Sequence, residues 1–377
     1  MNGDLPDIGD AACVFVSPAG APGNTGTRAS PLDSPGRAAQ LASRDGRCVV
    51  IAAGEYAEQV RTSVSLYGGF APDFSANDPA QFVTRIHAGG DAHSTSAVEV
   101  RDVGPDAVVT VYGLTLRGGP GTHAAALRID GEAAVTVRSC NLHGGGRGPG
   151  PEGFTYSAGI HVGSDARVAL VVVGNRIHGG VNQSSCGIEG AGSGARIEGN
   201  QIEGGDCATP NSRTYGLRGG GSVTLRGNTI DSGHGAVARS LCLRSGGATI
   251  VGNTITSRRG DPSQAIEIRS DDGGLTLSGN TIDGIPDERV FAFAGRLSNR
   301  TWRYNEIEGQ VWSFDAVSLE RWGWIRYWSD SSIEPTGGGY GGPSQSFGDF
   351  LRNGPARDLP PGIAAEIRTR LEDVGVG

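Results

Sequence analysis

The stretch Tyr215-Gly-Leu-Arg-Gly-Gly-Gly-Ser-Val-Thr-Leu-Arg-Gly-Asn-Thr-Ile-Asp231 contains the pattern that decides the fold. It holds three short alternations of apolar and polar residues, separated by glycine or asparagine. Alternation at a period of two predicts β-strands. Glycine and asparagine accept the left-handed backbone that sharp corners require. The stretch therefore predicts one unit of three strands and three corners.

The same unit recurs along the chain. The next copy reads Ser240-Leu-Cys-Leu-Arg-Ser-Gly-Gly, then Ala248-Thr-Ile-Val, then Gly252-Asn-Thr-Ile-Thr. The asparagines of the recurring Asn-x-Ile corner, or its near variants, are Asn141, Asn175, Asn200, Asn228, Asn253, Asn280 and Asn305. Subtracting successive numbers gives steps of 34, 25, 28, 25, 27 and 25 residues, a period typical of stacked solenoids.

These units predict an all-β fold, a right-handed parallel β-helix. We expect a three-sheet solenoid of about ten coils, with a short N-terminal capping helix and an irregular C-terminal cap. The predicted organisation is an N-terminal cap and first coil at 1–60, the β-helix at 61–310, and a Trp-rich C-terminal cap and tail at 311–377. We expect the corner asparagines from Asn175 to Asn280 to align on neighbouring coils and to hydrogen-bond to one another.

Two other solenoids fit the pattern less well. The segment Leu225-Arg-Gly-Asn-Thr-Ile230 matches the end of a leucine-rich repeat, whose period overlaps this one. That repeat also needs a preceding L-x-x-L and a helical or tight return segment, whereas the return segments here are rich in glycine and serine. A calcium-binding nonapeptide roll is disfavoured because the Gly-Gly pairs do not recur every nine residues.

Composition limits the partners and the compartment. The net charge is −8, and all 32 basic residues are arginine. An acidic chain without a basic stripe argues against a nucleic-acid partner, and no apolar run is long enough to span a membrane. The first residues, 1–7, lack the basic and apolar segments of a signal peptide. Glycine makes up 64 of the 377 residues, which agrees with a fold that has many sharp corners.

The six cysteines offer several pairings and no zinc motif. Cys13 and Cys48 each open an apolar, strand-like run, so this pair is our first choice for a disulfide. Cys186 with Cys207 is the second choice and Cys140 with Cys242 the third. An even number of cysteines agrees with disulfides in an oxidising compartment, and buried thiols remain the alternative.

The N-terminal region predicts a helix that covers the first coil. Ser34 is a suitable N-cap residue, and Pro35 suits the first helical turn. Ala38, Leu41 and Ala42 then share one face. Such a helix would cover the open edge of the first coil.

The two ends of the chain resemble a known family. Val14-Phe-Val-Ser-Pro-Ala-Gly, Ala52-Ala-Gly-Glu-Tyr-Ala-Glu and Leu66-Tyr-Gly-Gly-Phe look like the opening of secreted bacterial right-handed β-helix proteins of the pectin lyase-like superfamily. Gly348-Asp-Phe-Leu-Arg-Asn-Gly-Pro resembles their closing segment. The resemblance implies the β-helix fold and an extracellular or cell-surface location. It implies no particular activity, because one fold serves many functions.

The strand that opens each coil suggests a binding groove on one face. Aligning the coils makes seven apolar residues point inward: Leu127, Ile160, Ile188, Leu217, Leu241, Ile266 and Phe291. The following residues then point outward: Arg128, His161, Glu189, Arg218, Cys242, Glu267 and Ala292. Two positions further lie Asp130, Arg244 and Arg269. We expect the corner segments 178–186 and 203–214 to rise beside this face.

A row of Arg, His and Glu about 5 Å apart suits a uronic-acid polymer. Carboxylates would hold a cation or act as base, and arginines would pair with substrate carboxylates. His161, Glu189, Arg218 and Glu267 are the catalytic candidates. Arg128, Arg244 and Arg269 join His161, Glu189 and Arg218 as ligand-binding candidates. The alternative is a solvated face whose charges stabilise cross-strand pairs.

Known catalytic patterns of the superfamily are incomplete here. Gly233-His-Gly235 resembles the Gly-His-Gly of polygalacturonases, but their acidic pair does not precede it and their lysine is absent, so it is predicted to be a corner. Lyases with a lysine base are excluded because the chain has no lysine. An arginine base, at Arg218, Arg244 or Arg269, would have to lose a firmly held proton.

The tryptophans form a second candidate surface. All five lie between Trp302 and Trp328, and Trp322 and Trp324 alternate along one predicted strand. Clustered aromatic rings stack on sugars or bury the last coil, and both Trp322 and Trp324 are ligand-binding candidates.

These features predict a secreted or cell-surface β-helix protein that contacts a polysaccharide or cell-surface glycan and has no complete catalytic motif. The alternatives are a polysaccharide lyase or glycoside hydrolase acting in the groove, and a structural surface spacer. We expect a monomer without a resident metal or cofactor, with calcium considered only for a lyase.

Overall fold

The structure is a computed structural model of the 377-residue chain. It describes residues 8–9, 11–89, 94–146, 155–207, 209–243, 247–258, 263–268 and 275–283, and the backbone of further strands between 290 and 334. The chain divides into two compact units, Met1–Gly192 and Ser193–Gly377, here called unit 1 and unit 2.

The described part of unit 1 contains one helix and a series of short strands. The helix is α1 (Pro35–Asp45). The strands are β1 (Cys13–Val16), β2 (Cys48–Ala52), β3 (Gly54–Tyr56), β4 (Val60–Thr62), β5 (Leu66–Phe70), β6 (Thr84–His87), β7 (Ser94–Val100), β8 (Val108–Tyr112), β9 (Leu114–Arg117), β10 (His123–Ile129), β11 (Glu132–Arg138), β12 (Asn141–His143), β13 (Tyr156–Val162), β14 (Arg167–Val173), β15 (Arg176–His178) and β16 (Ser184–Ala191).

Unit 2 continues the same succession of strands. They are β17 (Ala195–Glu198), β18 (Gln201–Glu203), β19 (Arg213–Gly219), β20 (Val223–Arg226), β21 (Thr229–Asp231), β22 (Val237–Leu243), β23 (Ala248–Val251), β24 (Thr254–Thr256), β25 (Ser263–Ile268), β26 (Leu275–Ser278), β27 (Thr281–Asp283), β28 (Val290–Gly295), β29 (Arg300–Arg303), β30 (Glu306–Phe314), β31 (Leu319–Tyr327) and β32 (Ile333–Glu334).

Each unit is a right-handed parallel β-helix built from three parallel sheets. In unit 1 the first sheet joins β4, β7, β10, β13 and β16. The second sheet joins β1, β2, β5, β8, β11 and β14, and the third joins β3, β6, β9, β12 and β15. The structure has about seven turns, so the prediction of about ten coils was too high.

Unit 2 repeats this arrangement. Its first sheet joins β19, β22, β25, β28 and the end of β30, its second joins β17, β20, β23, β26 and β29, and its third joins β18, β21, β24, β27 and the start of β30. The parallel stacking stops at β30, because β31 pairs with it in the antiparallel sense. The predicted domain boundaries at 60 and 310 stay a prediction.

The inner residue of each strand fills the core. In one turn of unit 1, Leu127 of β10, Val135 of β11 and Leu142 of β12 are all fully buried. The period-two alternation predicts this, since every second side chain of a strand points to the same side. No described helix has the length and apolar composition needed to cross a membrane.

The asparagine ladder is confirmed within unit 2. The Oδ1 of Asn228 accepts hydrogen bonds from the backbone N–H and the Nδ2 of Asn200, at 3.0 and 2.9 Å. Asn228 donates in the same way to Asn253 (both 2.9 Å), and Asn253 donates to Asn280 (2.9 and 3.0 Å). All four side chains are buried, so each amide satisfies polar groups that water cannot reach.

In unit 1, Cys140 occupies the position that an asparagine occupies in the ladder of unit 2. Asn175 accepts a hydrogen bond from the backbone N–H of Cys140 at 2.9 Å. Asn141, which the repeat pattern suggested as a corner residue, instead lies on β12 in register with Arg176 and is exposed. The position before Cys140 is Ser139, whose φ of 54° is left-handed, whereas glycine occupies the position before Asn175, Asn200, Asn228, Asn253 and Asn280.

The N-terminal cap is confirmed. The Ser34 Oγ accepts a hydrogen bond from the backbone N–H of Arg37 at 3.1 Å, and Pro35 begins the helix. Helix α1 contacts β1, β2 and β4, with Ala38 and Ala42 buried and Leu41 only partly so. It therefore packs on the first strands of the second sheet, as expected for a cover of that open edge.

One disulfide joins Cys13 of β1 to Cys48 of β2, which are in register with a Cα–Cα distance of 4.4 Å. The first-choice pairing is confirmed. The other four cysteines are buried thiols, so the pairings Cys186–Cys207 and Cys140–Cys242 are wrong.

One register prediction is also wrong. Ile266 pairs with Phe293, and Phe291 pairs with Gln264. The residue in register with Glu267 is therefore Ala294 instead of Ala292. A slip of two residues leaves a period-two sequence pattern unchanged, so the pattern does not distinguish the two alignments.

Candidate functional site

The first sheet of unit 1 carries a row of polar side chains, one from each successive strand. Arg61, Glu99, Arg128, His161 and Glu189 are register neighbours along β4, β7, β10, β13 and β16, so their strands are about 4.8 Å apart. The structure brings together the predicted residues Arg128, His161 and Glu189. The sequence analysis missed Arg61 and Glu99, although Val60-Arg-Thr62 and Val98-Glu-Val100 show the same alternation.

Ion pairs organise one end of this row. The Glu99 carboxylate lies 3.2 Å from Arg61 Nε and 4.0 Å from an Arg101 terminal nitrogen. The Glu99 side chain is only 12% exposed, whereas that of Arg61 is 66% exposed. Arg128 pairs with Asp130 at 2.7 Å. The largely buried Glu99 therefore anchors the more exposed Arg61 and Arg101, while Asp130, which is 37% exposed, holds Arg128.

A cleft of about 520 Å³ opens at this place. Its polar lining includes Gln59, Arg61, Glu99, Arg101, Arg128 and Asp130. Guanidinium groups only donate hydrogen bonds and carboxylates only accept them. A cleft lined by both suits a ligand that carries hydroxyl and carboxylate groups.

His161 lies next to this cleft in the row and contacts an aromatic partner. The Tyr156 hydroxyl and His161 Nδ1 are 3.2 Å apart, and the two rings meet edge to face at 5.4 Å. Burial lowers the pKa of His161, and the positive charge of Arg128 lowers it further, while Asp130 acts in the opposite direction. The imidazole is therefore uncharged at neutral pH and able to take up a proton.

The first sheet of unit 2 carries its own row. Arg218, Cys242 and Glu267 are register neighbours, and the Arg218 guanidinium lies 5.1 Å from the Tyr215 ring centre. Cys242 was expected to face solvent, but it is buried. Its thiol donates to a Glu267 oxygen at 3.1 Å, and the same oxygen is 2.9 Å from Arg239 Nε.

The arrangement around Glu267 weighs against a role as base or cation ligand. Its side chain is 15% exposed, and Arg239, which holds it, also donates to the Tyr215 hydroxyl at 3.2 Å. This group resembles a structural network more than an open site.

Other predicted site residues are placed as follows. Gly233 has a φ of 71° and lies with His234 between β21 and β22, so the predicted corner is confirmed. Arg244 and Arg269 lie outside the described residues. Trp322 and Trp324 lie on β31, for which the backbone is described, with Trp324 opposite Gln310.

The first of the two corner segments differs from the expectation of a raised wall. In the first, residues 179–183 connect β15 to β16, and Asn182 is fully buried. Its Nδ2 donates to the carbonyl oxygens of Gly121 and Tyr156 at 3.1 and 2.7 Å. This corner is packed into the fold. In the second, Asp206, Pro210, Asn211 and Arg213 are exposed among the described residues, and whether this segment rises beside the first sheet stays a prediction.

Comparison with known proteins supports the fold. Residues 125–308 match the family described as "Right handed beta helix region". No curated protein matches the sequence. Among solved structures, the pectate lyase Pel9A is similar with a TM-score of 0.44 and 11% identity over 78% of this chain and 80% of that one. A pectin methylesterase from Aspergillus niger is similar with a TM-score of 0.31 and 12% identity over 76% of this chain and 81% of that one. At these values neither structure assigns an activity to this chain.

Proposed function

We propose that this protein binds a carbohydrate polymer along the first sheet of unit 1, in the cleft between Arg61 and Arg128. The observation that supports the proposal is the cleft itself, which lies on an in-register row of donors and acceptors. A linear polymer is suited to such a row because both have a regular repeat. The arginines would donate to hydroxyl or carboxylate oxygens, and Asp130 would accept from hydroxyls.

We also propose that the protein acts outside the cytoplasm, either secreted or at the cell surface. The Cys13–Cys48 disulfide supports this location, because disulfides persist mainly in oxidising compartments. Detection of the chain in the culture medium or by surface labelling tests it, and a strictly cytoplasmic distribution contradicts it.

A glycan array followed by titration calorimetry tests the binding function. We expect the double variant Arg61→Gln and Arg128→Gln to bind the selected glycan at least tenfold more weakly, with little change in melting temperature. Arg167→Gln is the matched control, because Arg167 is an exposed arginine of the second sheet and its loss should leave affinity unchanged. Equal affinity of the double variant and the wild type would refute the proposed cleft.

A polysaccharide lyase acting in the same groove is the second candidate. The Tyr156–His161 pair beside Arg128 favours it. His161 would take the proton from the carbon next to the sugar carboxylate, which Arg128 would bind. The electrons of that C–H bond would form a C=C bond as the bond to the leaving oxygen breaks, and the Tyr156 hydroxyl would protonate that oxygen.

The lyase candidate is tested by the ultraviolet absorbance of unsaturated products, measured on uronic-acid polymers with and without calcium. We expect product from the wild type and a loss of at least a hundredfold in His161→Gln. Binding without product identifies a binding protein. Absence of both binding and product leaves the surface spacer, for which the ion-paired first sheet is the supporting feature.

A further inference from the structure

The charged side chains that line the cleft of unit 1 balance one another. Three arginines and three carboxylates belong to the lining: Arg61, Arg101, Arg128, Glu99, Asp102 and Asp130. The described lining therefore has three positive and three negative charges and no net charge. His161, the next residue of the row after Arg128, adds no charge at neutral pH, because burial lowers the pKa of its imidazole.

Each arginine of the cleft is paired with one carboxylate through its Nε atom. The Nε atoms of Arg61, Arg101 and Arg128 lie 3.2, 3.2 and 2.7 Å from an oxygen of Glu99, Asp102 and Asp130, respectively. At least one terminal nitrogen of each guanidinium makes no hydrogen bond or ion pair within the part of the chain that the structure describes. Each pair thus offers a donor to a ligand, with an acceptor beside it.

The least exposed charge of the lining is negative. The Glu99 side chain is 12% exposed, whereas those of Arg61 and Asp102 are 66% and 80% exposed. Solvent and salt screen an exposed charge more than a buried one. The Glu99 carboxylate is therefore the charge that a bound group experiences with the least screening.

This balance of charge decides which ligand group suits the cleft better, a hydroxyl or a carboxylate. A hydroxyl can accept a hydrogen bond from a guanidinium and donate one to the carboxylate beside it. A carboxylate of the ligand can only accept, so it would satisfy the arginine and place a like charge next to the protein carboxylate. Hydroxyls on adjacent sugar carbons can engage a guanidinium–carboxylate pair without disturbing it.

The three pairs follow one another across the first sheet. They lie on or directly after β4, β7 and β10, which are consecutive strands of that sheet. The strand spacing of about 4.8 Å is close to the length of one sugar unit in an extended chain. The cleft volume of about 520 Å³ lies within the range of pockets that enclose a small organic ligand. A short segment of a sugar chain therefore fits both the spacing and the volume.

We propose that the cleft selects uncharged sugar units over uronic acids. The inference rests on the binding function proposed above and names the substrate class of that site. It also separates the two candidate functions, because an uncharged sugar has no carboxylate next to the carbon from which His161 would take a proton. Selectivity for such a sugar favours the binding protein over the lyase.

The test compares oligomers that differ only in charge. Titration calorimetry is performed with galacturonic, mannuronic and glucuronic acid oligomers of equal length, and with the same oligomers after reduction of every carboxylate to a CH₂OH group. We expect at least one neutral oligomer to bind at least fivefold more tightly than its uronic acid, because a like charge beside a carboxylate opposes binding. The affinity of the neutral oligomer should change little with salt, since no net charge attracts it.

Two substitutions change the balance of charge without removing an arginine. Asp130→Asn and Asp102→Asn each give the lining a net positive charge and retain a side-chain acceptor. Asparagine also tolerates the left-handed φ of 59° at Asp102. We expect Asp130→Asn to lower the preference for the neutral oligomer at least fivefold. Asp102→Asn should lower it less, because Asp102 is the more exposed of the two and its charge is better screened.

The matched control is Asp45→Asn. Asp45 pairs with Arg47 at 3.1 Å, two residues away as in the Arg128–Asp130 pair, and neither residue lines the cleft. The control should leave the preference for the neutral oligomer unchanged. The melting temperature of each variant shows whether the fold is retained.

The outcomes distinguish this inference from the binding function on which it rests. A uronic acid that binds as tightly as its neutral counterpart, or more tightly, overturns the selectivity and leaves the binding function in place. An unchanged preference in Asp130→Asn overturns the selectivity as well, because the carboxylate would then not cause it. If none of these oligomers binds, the best ligand of the glycan array decides: a neutral glycan supports the inference and an acidic one overturns it. No ligand on the array refutes the binding function itself.

Discussion

At the scale of single residues, the backbone conformation of a corner decides which residue type can occupy it. Glycine holds a left-handed φ between 59° and 64° before the ladder asparagines 175, 200, 228, 253 and 280. A Cβ on these glycines would meet nothing within 4 Å. The corner therefore selects glycine through its backbone conformation, with no contribution from crowding.

Ser139 is the exception and gives the first prediction. It occupies the same corner with a φ of 54°, where a residue with a Cβ is strained by about 1 kcal/mol or more. We expect Ser139→Gly to raise the free energy of unfolding by about 1 kcal/mol, as measured by chemical denaturation. The reverse change, Gly174→Ser, should lower it by a similar amount. Changes of the same sign in both variants would contradict this explanation.

The pKa of His161 gives the second prediction. Arg128 lowers this pKa and Asp130 raises it. Arg128→Gln should therefore raise the pKa of His161, and Asp130→Asn should lower it, as followed by an NMR titration of the imidazole. Arg167→Gln is the control and should leave the pKa unchanged. A shift in the same direction in both variants would show that rearrangement of the site outweighs the direct charge effects.

At the scale of elements, the asparagine ladder explains how successive turns keep their register. The Oδ1 atoms of Asn228, Asn253 and Asn280 each accept two hydrogen bonds from the preceding turn. Their Nδ2 groups also donate to a backbone carbonyl, as Asn228 does to Ile197 at 2.8 Å. The ladder satisfies the polar groups of a buried corner that would otherwise be costly.

Removing one rung tests this role. We expect Asn228→Ala to lower the free energy of unfolding by about 1–3 kcal/mol, because Asn200 loses an acceptor and the Ile197 carbonyl loses a donor. Denaturant unfolding measures the change. Gln201→Ala is the control, since Gln201 lies on the neighbouring strand β18 and is exposed. If Asn228→Ala changes the free energy of unfolding as little as the control does, the ladder does not contribute to stability.

The sequence predicted those elements whose residues favour a single local structure. The Gly-Asn corners, the Ser34-Pro35 helix start and the Cys13–Cys48 pair belong to this class. The row on the first sheet followed from alternation alone, but the Arg61–Glu99 contact joins residues 38 positions apart in the sequence. Cys242 is buried and donates to Glu267, which also pairs with Arg239. The sequence does not specify these contacts. The stacking of His143 on His178 required the register of β12 and β15.

At the scale of the whole molecule, the same corner recurs with side chains of different charge. In β6, β9, β12 and β15 of unit 1 the last residues are imidazole or guanidinium groups. In unit 2 the corresponding residues are Glu203, Asp231, Thr256 and Asp283. Asp231 Oδ1 accepts the backbone N–H of Gly233 at 2.8 Å, as His143 Nδ1 does for Gly145. An imidazole and a carboxylate thus accept the same kind of corner hydrogen bond although they differ in charge.

The disulfide gives the prediction at this scale, because it constrains unit 1 as a folding unit. It closes a separation of 35 residues around helix α1. We expect Cys13→Ser with Cys48→Ser to lower the free energy of unfolding of unit 1 by about 3–4 kcal/mol. Denaturation with and without reductant measures it. Reductant should destabilise the wild type but not the double variant, and equal sensitivity of the two proteins would contradict the assignment.

The ladder also limits the insertions and deletions that such a chain can accept during evolution. Asn228 and Asn253 are 25 residues apart, and Asn253 and Asn280 are 27 apart. Excising residues 229–253 as one block joins Asn228 to Thr254, so that Asn280 takes the place of Asn253 as its partner. Removing one residue more or fewer puts another side chain in the buried corner. Duplications and losses in genes for such chains should therefore survive when they comprise a whole turn, and intermediate sizes should be eliminated.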